Sequence, residues 1–327
     1  MAERVSSGPQ GASIVAEGAS TMPESTQTGL IEAIQVARQT PARLSPNGVR
    51  FATFGDHGLV SADLDRMVQA VPTVIAAALT GTAYYFVPLA LTEPRAGQSQ
   101  PHRTPHDETM IAPAYASELA ELAICHRNVG LPTAPGAPAT EAVFISTRLL
   151  ADRFSLAFEF FINVGHAFVD TAGVPDSFAE LAWNHALADV RGETSHDAWE
   201  TRAHALTTPL SSRNAPLSST ASLSSRTLSE SSEPKGEGSA SSLAAASYPS
   251  RPSVDERSRF EFLEAAFADA IAIYLLSLAV DFDYSELRER EYPLLAPQPR
   301  AERLRHTARL FPPNPTYDFA IRYRRRT

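Results

Sequence analysis

The chain has 327 residues, of which 43% are hydrophobic, and its formal net charge is −9. This hydrophobic content is sufficient for a folded core, whereas the acidic balance argues against a general nucleic-acid binder, which needs a broad basic surface. A single cysteine excludes an intramolecular disulfide and a cysteine-based zinc site, and the only lysine, Lys235, lies in a low-complexity stretch, which excludes Schiff-base and phosphate-loop lysine chemistry.

Two segments are predicted to have no core of their own. Residues 1–28 are rich in serine, glycine and threonine, and residues 207–258 are dominated by serine without periodicity, so both are predicted to be disordered. The remainder, 29–206 and 259–327, is predicted to form a single discontinuous domain, because the apolar helices of each part need the other part to cover them. The N-terminus lacks the charged-then-apolar order of a signal peptide, which favours a cytoplasmic protein.

Helices and strands alternate in the first half of the chain. The predicted elements are a helix at 29–40, a strand at 49–54, a helix at 61–79 and a strand at 83–91. Pro88 favours an edge position or a bulge for the last strand. Residues 71–91 carry no charge and are long enough to span a bilayer, but Gly81 and Pro88 interrupt them. We therefore interpret them as a buried helix followed by a buried strand, in a protein without membrane contact.

The second half is predicted to be mostly helical. Its predicted elements are a helix at 113–129, a strand at 141–147, helices at 152–170, 176–191 and 196–206, a strongly apolar helix at 259–280 and a short helix at 300–310. Cys125 falls on the first of these helices, and we interpret it as a small buried apolar residue. Together the elements predict a helix-rich α+β fold, in which a small sheet and helix 259–280 pack against helix 152–170.

The helix predicted at 152–170 carries one line of polar side chains on an otherwise apolar surface. At about 100° per residue, Glu159, Asn163, His166 and Asp170 fall within about 60° of each other. A helix that is apolar all round is normally buried, so we expect this line to face a partner helix or a cleft. Either the line forms hydrogen bonds that hold neighbouring helices in register, or it belongs to a functional site.

A sequence resemblance indicates one kind of site. The strand at 142–145, the run RFSLAFE at 153–159, and Glu261, Phe267 and Ala268 resemble segments of the ImmA/IrrE family of zincin metallopeptidases. In that family a strand leads into a helix reading approximately RFTLAHELGH, and a later helix reads approximately ExxANxFAxxLL. The resemblance implies a zincin-like fold, in which two histidines one turn apart hold zinc and a glutamate between them polarises the bound water.

Neither of the two possible alignments supplies both histidines that a zincin needs to bind zinc. In the first alignment, Phe158 and Ile162 stand at the histidine positions, and Glu159 keeps the position of the catalytic carboxylate. Sliding the alignment by four residues keeps a Gly-His pair that ends at His166, but isoleucine and asparagine then replace the first histidine and the glutamate. The resemblance therefore implies a degenerate family member that lacks the usual zinc hydrolysis.

An unorthodox metal site is the alternative. Four side chains supply nitrogen and oxygen ligands suited to zinc or another divalent metal: His166, Asp170, His185 and Glu261. Glu159 is the candidate catalytic carboxylate of such a site. We expect a non-catalytic intracellular protein, a zincin-like scaffold that binds a protein partner, and the alternative is a metal-dependent hydrolase with a non-standard histidine/carboxylate site. A third hypothesis, a regulator that contacts nucleic acid through the basic tail at 322–326, is disfavoured by the acidic balance.

Overall fold

The computed structural model describes residues 29–92, 109–132, 140–150, 152–206, 254–287 and 292–321. Three predicted segments lie outside these residues: the N-terminal segment 1–28, nearly all of the serine-rich segment 207–258, and the basic tail at 322–326. At the end of the serine-rich segment, a long helix begins at Glu256, where Asp255 accepts a hydrogen bond from the backbone N–H of Arg257 (3.0 Å). This N-cap starts the helix before the predicted boundary at 259.

The helices are short in the first half of the chain and long in the second. In chain order they are α1 (Ala33–Gln39), α2 (Ser61–Gln69), α3 (Thr73–Ala78), α4 (Ser117–Ala120), α5 (Arg153–Ala172), α6 (Asp176–Leu187), α7 (His196–Leu206), α8 (Glu256–Ala279) and α9 (Pro297–Leu310), with a 3₁₀ turn at Tyr284–Leu287. The single helix predicted at 61–79 is two helices. Pro72 separates them, because proline has no N–H with which to continue the helical hydrogen bonds.

The described strands form two sheets. They are β1 (Ile31–Glu32), β2 (Arg43–Leu44), β3 (Arg50–Thr53), β4 (Thr82–Val87), β5 (Leu89–Thr92), β6 (Thr109–Ala112), β7 (Ala123–Ile124), β8 (His126–Leu131) and β9 (Thr140–Ser146). The larger sheet has the order β2-β3-β4-β9-β8, with β3, β4 and β9 parallel and both edge strands antiparallel to their neighbours. The smaller sheet, β1-β6-β5-β7, is antiparallel. The fold is therefore a helix-rich α+β fold, as predicted.

Two segments of the chain pass from one sheet to the other at a single residue. Pro88 separates β4 from β5, so the single strand predicted at 83–91 is wrong, and β4 lies inside the larger sheet rather than at an edge. Cys125 separates β7 from β8 and is exposed. The helix predicted at 113–129 and the buried interpretation of Cys125 are therefore both wrong, since only α4 in that range is helical.

Ser146, at the end of β9, holds these two crossings together. Its Oγ donates to the carbonyl of Ile124 (2.5 Å) and accepts from the N–H of Ala90 (2.8 Å), while its own N–H donates to the carbonyl of Cys125 (2.9 Å). Pairing with distant strands, rather than local sequence preference, thus decides the conformation on both sides of Cys125.

Helices α5 and α8 pack against each other, as predicted, and they run antiparallel. Gly165 lies against the backbone of Ala268, and the rings of Phe154 and Phe282 are 5.5 Å apart. A Cβ atom at Gly165 would lie 2.5 Å from the carbonyl oxygen of Ala268, so glycine permits the close approach of the two helices. Helix α7 covers another side of α8.

Helix α8 is the most buried of the described helices. Among the described residues it is the one helix long and apolar enough to cross a membrane, but 83% of its most apolar window is buried inside the protein. A helix that is apolar all round and covered by its neighbours is typical of a protein core. The absence of membrane contact stays a prediction.

A buried group of charges joins α7, α8 and α9. Glu193 is fully buried and accepts hydrogen bonds from Arg303 (2.8 and 3.3 Å) and Arg202 (3.2 Å). Nearby, Asp269 accepts a hydrogen bond from the hydroxyl of Thr194 (2.7 Å), and burial raises the pKa of Asp269 from 3.8 to about 7. This group connects helices that are far apart in the sequence, and we assign it a structural role.

Candidate functional site

The predicted polar line lies on α5, but only its first half faces inward. Asn163 is buried, and the Glu159 side chain is only 17% exposed, whereas His166 and Asp170 are exposed. The expectation that the whole line faces a cleft or a partner helix is therefore wrong for His166 and Asp170. Asn163 donates to the backbone carbonyl of Glu159 (2.8 Å), so its amide is partnered within α5 rather than across to α8.

Glu159 contacts a histidine at the edge of the larger sheet. Its Oε1 is in hydrogen-bonding contact with Nδ1 of His126, the first residue of β8, and this contact ties α5 to the edge strand. Next to His126, Cys125 is exposed, yet loss of hydration around its thiol, and then the Glu159 carboxylate, raise the pKa of the thiol. The environment thus disfavours the thiolate that a nucleophilic cysteine needs.

His185 and Glu261 face neighbours other than the polar line. Nε2 of His185 lies 3.0 Å from Oε2 of Glu302 on α9, and burial lowers the pKa of His185. Glu261 accepts a hydrogen bond from Arg257 one turn earlier in α8 (2.8 Å), near the surface. Both side chains therefore have partners that keep them out of a common site with α5.

His166 and Asp170 are neighbours at the exposed end of α5. Loss of hydration lowers the pKa of His166, and the negative charges of Asp170 and then Asp197 oppose this. Within the described ranges, no group of three or more histidine, cysteine, aspartate or glutamate side chains is placed to share a metal ion. The metal role stays a prediction without geometric support for its four residues: His166, Asp170, His185 and Glu261.

The antiparallel packing of α5 and α8 also bears on the first zincin alignment. Gly165 on α5 lies against Ala268 on α8. Glu261 precedes Ala268 by about two turns, and because the helices are antiparallel it lies towards Asp170, beyond Gly165 on α5. The two histidine positions of that alignment precede Gly165 and lie on its other side. The glutamate that resembles a zinc ligand is therefore not opposite the positions of its two partners.

A serine–histidine contact lies in an open groove between α6 and α9. Oγ of Ser177 and Nε2 of His306 are 3.0 Å apart, and a guanidinium nitrogen of Arg309 lies 3.3 Å from Nδ1 of His306. A guanidinium only donates, so Nδ1 accepts and the ring proton of neutral His306 sits on Nε2. His306 therefore donates to Ser177 and is not placed to take its proton, as a general base would.

A cavity of about 620 Å³ opens at the carboxyl edge of the larger sheet. The carboxyl ends of the parallel strands β3, β4 and β9 meet at this edge, and the segments that follow β3 and β9 line the cavity. Helices α2 and α5 begin here, and α8 ends here. In sheets with parallel strands, ligands bind outside the carboxyl ends, and small-molecule sites usually measure about 300–1,000 Å³. Position and size therefore both indicate a binding site.

Hydrogen bonds fasten the loop after β3 to the loop after β9. The hydroxyl of Thr147 donates to the carbonyl of His57 (2.7 Å), and Arg148 donates to both the carbonyl (3.0 Å) and the carboxylate (2.8 Å) of Asp56. Gly58 has a φ of +68°, and a Cβ atom there would lie 2.7 Å from Cζ of Arg148. The left-handed backbone conformation favours glycine here, and a side chain at this position would also displace the guanidinium group of Arg148.

The other charged groups of the lining also have partners. A guanidinium nitrogen of Arg153 lies 3.5 Å from the carboxylate of Asp63, in the first turn of α2. Asp152 is the N-cap of α5, where its carboxylate accepts a hydrogen bond from the N–H of Ser155 (2.8 Å). Hydrogen bonding from the hydroxyl of Ser155, and then from this N–H, lowers the pKa of Asp152. The cavity is therefore lined by charges of both signs, three carboxylates and two guanidinium groups, each of which has a partner.

His57 supplies the lining with a neutral imidazole. Its Nδ1 accepts a hydrogen bond from the backbone N–H of Leu59 (3.1 Å), so the proton of the neutral ring sits on Nε2. Burial lowers the pKa of His57; Asp56 opposes this effect and Arg148 adds to it. The neutral form of the ring, with Nε2 as a hydrogen-bond donor, is therefore favoured.

The remainder of the cavity wall is apolar. Side chains from α2, α5 and the end of α8 form it: Leu64, Met67, Leu156, Ala157, Ala279 and Val280. Val60 and Tyr115, which also line the cavity, are 64% and 49% exposed. Large apolar side chains exposed beside a concave site are typical of a surface that binds something.

Sequence patterns did not predict this cavity, although the sequence contains a signal for it. Asp56 and His57 lie between two glycines after the predicted strand at 49–54, and Thr147 and Arg148 come at the end of the predicted strand at 141–147. Polar residues at the carboxyl ends of strands in one parallel sheet mark binding sites. The adjacency and direction of the strands, however, follow only from the pairing of β4 with β3 and with β9.

Comparison with known proteins gives no match: no family model, no curated protein and no solved structure matches the chain. The resemblance to the ImmA/IrrE family therefore stays a prediction.

Proposed function

We propose that this protein is a non-catalytic, zincin-like binding protein that takes up a small molecule in the cavity at the carboxyl edge of the larger sheet. The cavity carries the proposal, because its position, volume and mixed lining are those of a small-molecule site. The order of the elements supports the zincin-like part, since β9 leads into α5 and α8 packs against α5.

Three features favour binding over hydrolysis. Phe158 and Ile162, at the histidine positions of the first zincin alignment, have no metal-binding atoms. The candidate catalytic carboxylate, Glu159, is engaged by His126. The serine–histidine pair between α6 and α9 has its ring proton on the nitrogen that faces the serine. The first feature removes the ligands that zinc hydrolysis requires, the second occupies its catalytic carboxylate, and the third removes the free base that a serine nucleophile requires.

Titration with the fluorescent probe N-phenyl-1-naphthylamine tests this proposal. Val60 lines the cavity and is largely exposed, so Val60→Trp narrows the cavity without disturbing buried packing. Val74, 58% exposed on α3 and outside the lining, provides the matched control Val74→Trp. We expect saturable binding of one probe per chain, weakened at least roughly tenfold by Val60→Trp and unchanged by Val74→Trp. Absence of saturable binding, or equal affinities in the two folded variants, would overturn the proposal.

Metal analysis distinguishes the competing hypothesis of a metal-dependent hydrolase. We expect protein purified without added metal to contain no stoichiometric zinc or other divalent metal. Stoichiometric metal that is lost in both His166→Ala and Glu261→Ala would instead favour the hydrolase. A protein partner, the lack of nucleic-acid binding and a cytoplasmic location stay predictions.

A further inference from the structure

The lining of the cavity also specifies the kind of molecule that it accepts. We propose that the cavity binds a neutral amphipathic molecule, with an apolar body and a polar end that accepts a hydrogen bond, such as a carbonyl group. This inference rests on the proposed function and names the ligand class of that same site.

The charged side chains of the lining already have partners. Arg148 is paired with Asp56, and Arg153 lies beside Asp63, so an anion that approaches either guanidinium also meets a carboxylate. The carboxylate of Asp152 accepts from the N-terminus of α5. The lining thus holds three carboxylates and two guanidinium groups, each already partnered. An anionic ligand would lose hydration without gaining an unpaired guanidinium group, and a cationic head group could not accept a hydrogen bond from the ring of His57. Ligands of either charge therefore bind less favourably than a neutral one.

The ring of His57 supplies the lining with a hydrogen-bond donor. The N–H of Leu59 fixes Nδ1 of His57 as an acceptor, which leaves Nε2–H as the donor of the neutral ring. The single hydroxyl proton of Thr147, also in the lining, is already shared between the carbonyl oxygens of His57 (2.7 Å) and Val87 (3.0 Å). The imidazole therefore supplies an uncharged donor, and a carbonyl oxygen is its natural partner.

The apolar wall of the cavity suits an apolar ligand body. The wall opposite the polar loops consists of side chains of α2, α5 and α8, namely Leu64, Met67, Leu156, Ala157, Ala279 and Val280. The thioether of Met67 adapts its shape more easily than a branched side chain. An aromatic or aliphatic body buried here gains free energy in proportion to the apolar area removed from water.

Competition with the fluorescent probe separates these contributions. Three competitors share one ring system and differ only in the head group: 2-acetylnaphthalene carries a ketone, 2-ethylnaphthalene a hydrocarbon and 2-naphthoate a carboxylate. We expect the ketone to bind tightest, the hydrocarbon roughly 3–10-fold more weakly, and the carboxylate at least roughly tenfold more weakly than the ketone. A carboxylate that binds as tightly as the ketone would overturn the inference.

His57→Asn tests the hydrogen bond itself. The asparagine side-chain oxygen replaces Nδ1 as acceptor for the N–H of Leu59, whereas the donor Nε2–H is lost. We expect the affinity for the ketone to fall to that for the hydrocarbon, and the affinity for the hydrocarbon to stay unchanged. His204→Asn, at an exposed position on α7, is the matched control.

The two proposals fail in different ways. If His57→Asn weakens the ketone and the hydrocarbon equally, or weakens neither, the assigned ligand class is wrong while the cavity remains a binding site. If no competitor displaces a probe that binds saturably, the ligand class is likewise wrong. If the probe itself does not bind saturably, or if Val60→Trp leaves its affinity unchanged, the proposed function is wrong.

Discussion

Gly165→Ala tests the central packing of the fold, the crossing of α5 and α8. In an exposed helix this substitution would stabilise the protein by about 1 kcal/mol, because alanine has the higher helix propensity. Here the new Cβ atom would lie 2.5 Å from the carbonyl oxygen and 3.1 Å from the carbonyl carbon of Ala268. These are backbone atoms of a buried helix, which cannot rotate away, so the two helices must separate.

Overpacking of a core costs about 1–3 kcal/mol, and a collision with backbone belongs at the upper end of that range. After subtraction of the propensity gain, we expect a net loss of about 2 kcal/mol in the free energy of unfolding. For a domain of this size, that loss lowers the Tm by roughly 4–8 °C.

Thermal unfolding followed by circular dichroism measures this effect. Gly130→Ala is the control, because a Cβ atom at Gly130 meets nothing within 4 Å, and its Tm should stay close to that of the wild type. A Gly165→Ala variant as stable as the wild type, or more stable, would refute the close crossing of α5 and α8.

Two further substitutions test the buried charges. Glu193→Gln removes the buried counter-charge of Arg303 and leaves Arg202 only the exposed carboxylate of Asp189 (3.5 Å). Urea unfolding should therefore show a loss of about 3–5 kcal/mol, and a loss below about 1 kcal/mol would contradict the buried pairing. Asp269 has a pKa raised to about 7, so the folded state favours its protonated form, and the wild type loses stability as the pH rises from about 4 to 7. Asp269→Asn, which keeps an acceptor for Thr194, should therefore gain about 2–3 kcal/mol on the wild type between pH 5 and pH 8. A difference that does not change with pH would contradict the buried, titrating carboxyl group.

The structure moves the candidate site from the polar line on α5 to the cavity. Of the four polar side chains on that line, Asn163 donates a hydrogen bond to the backbone of α5, and Glu159 contacts His126. The other two, His166 and Asp170, are exposed. The cavity, in contrast, combines an apolar wall with a neutral donor, His57, whose tautomer is set by a backbone hydrogen bond. Sequence patterns along one helix therefore located polar groups, but not the place where groups from different elements converge.

Local preference failed where non-local pairing decides the structure. Residues 113–129 are rich in alanine, leucine and glutamate, which favour a helix, yet β7 and β8 form there because they pair with β5 and β9. Residues 83–91 have the composition of one strand, but Pro88 divides them between two sheets. In both places the partner strand comes from elsewhere in the chain.

The sequence by itself determined the long helices, the strand before α5 and the α+β class of the fold. Their apolar periodicity is local and is strong enough to outweigh competing preferences. Only the tertiary structure decided the site, because the cavity joins Asp56 and His57 after β3, Arg148 after β9 and Val280 after α8. These residues are brought together by strand pairing and by the crossing of α5 and α8, and neither leaves a periodic signal in the sequence.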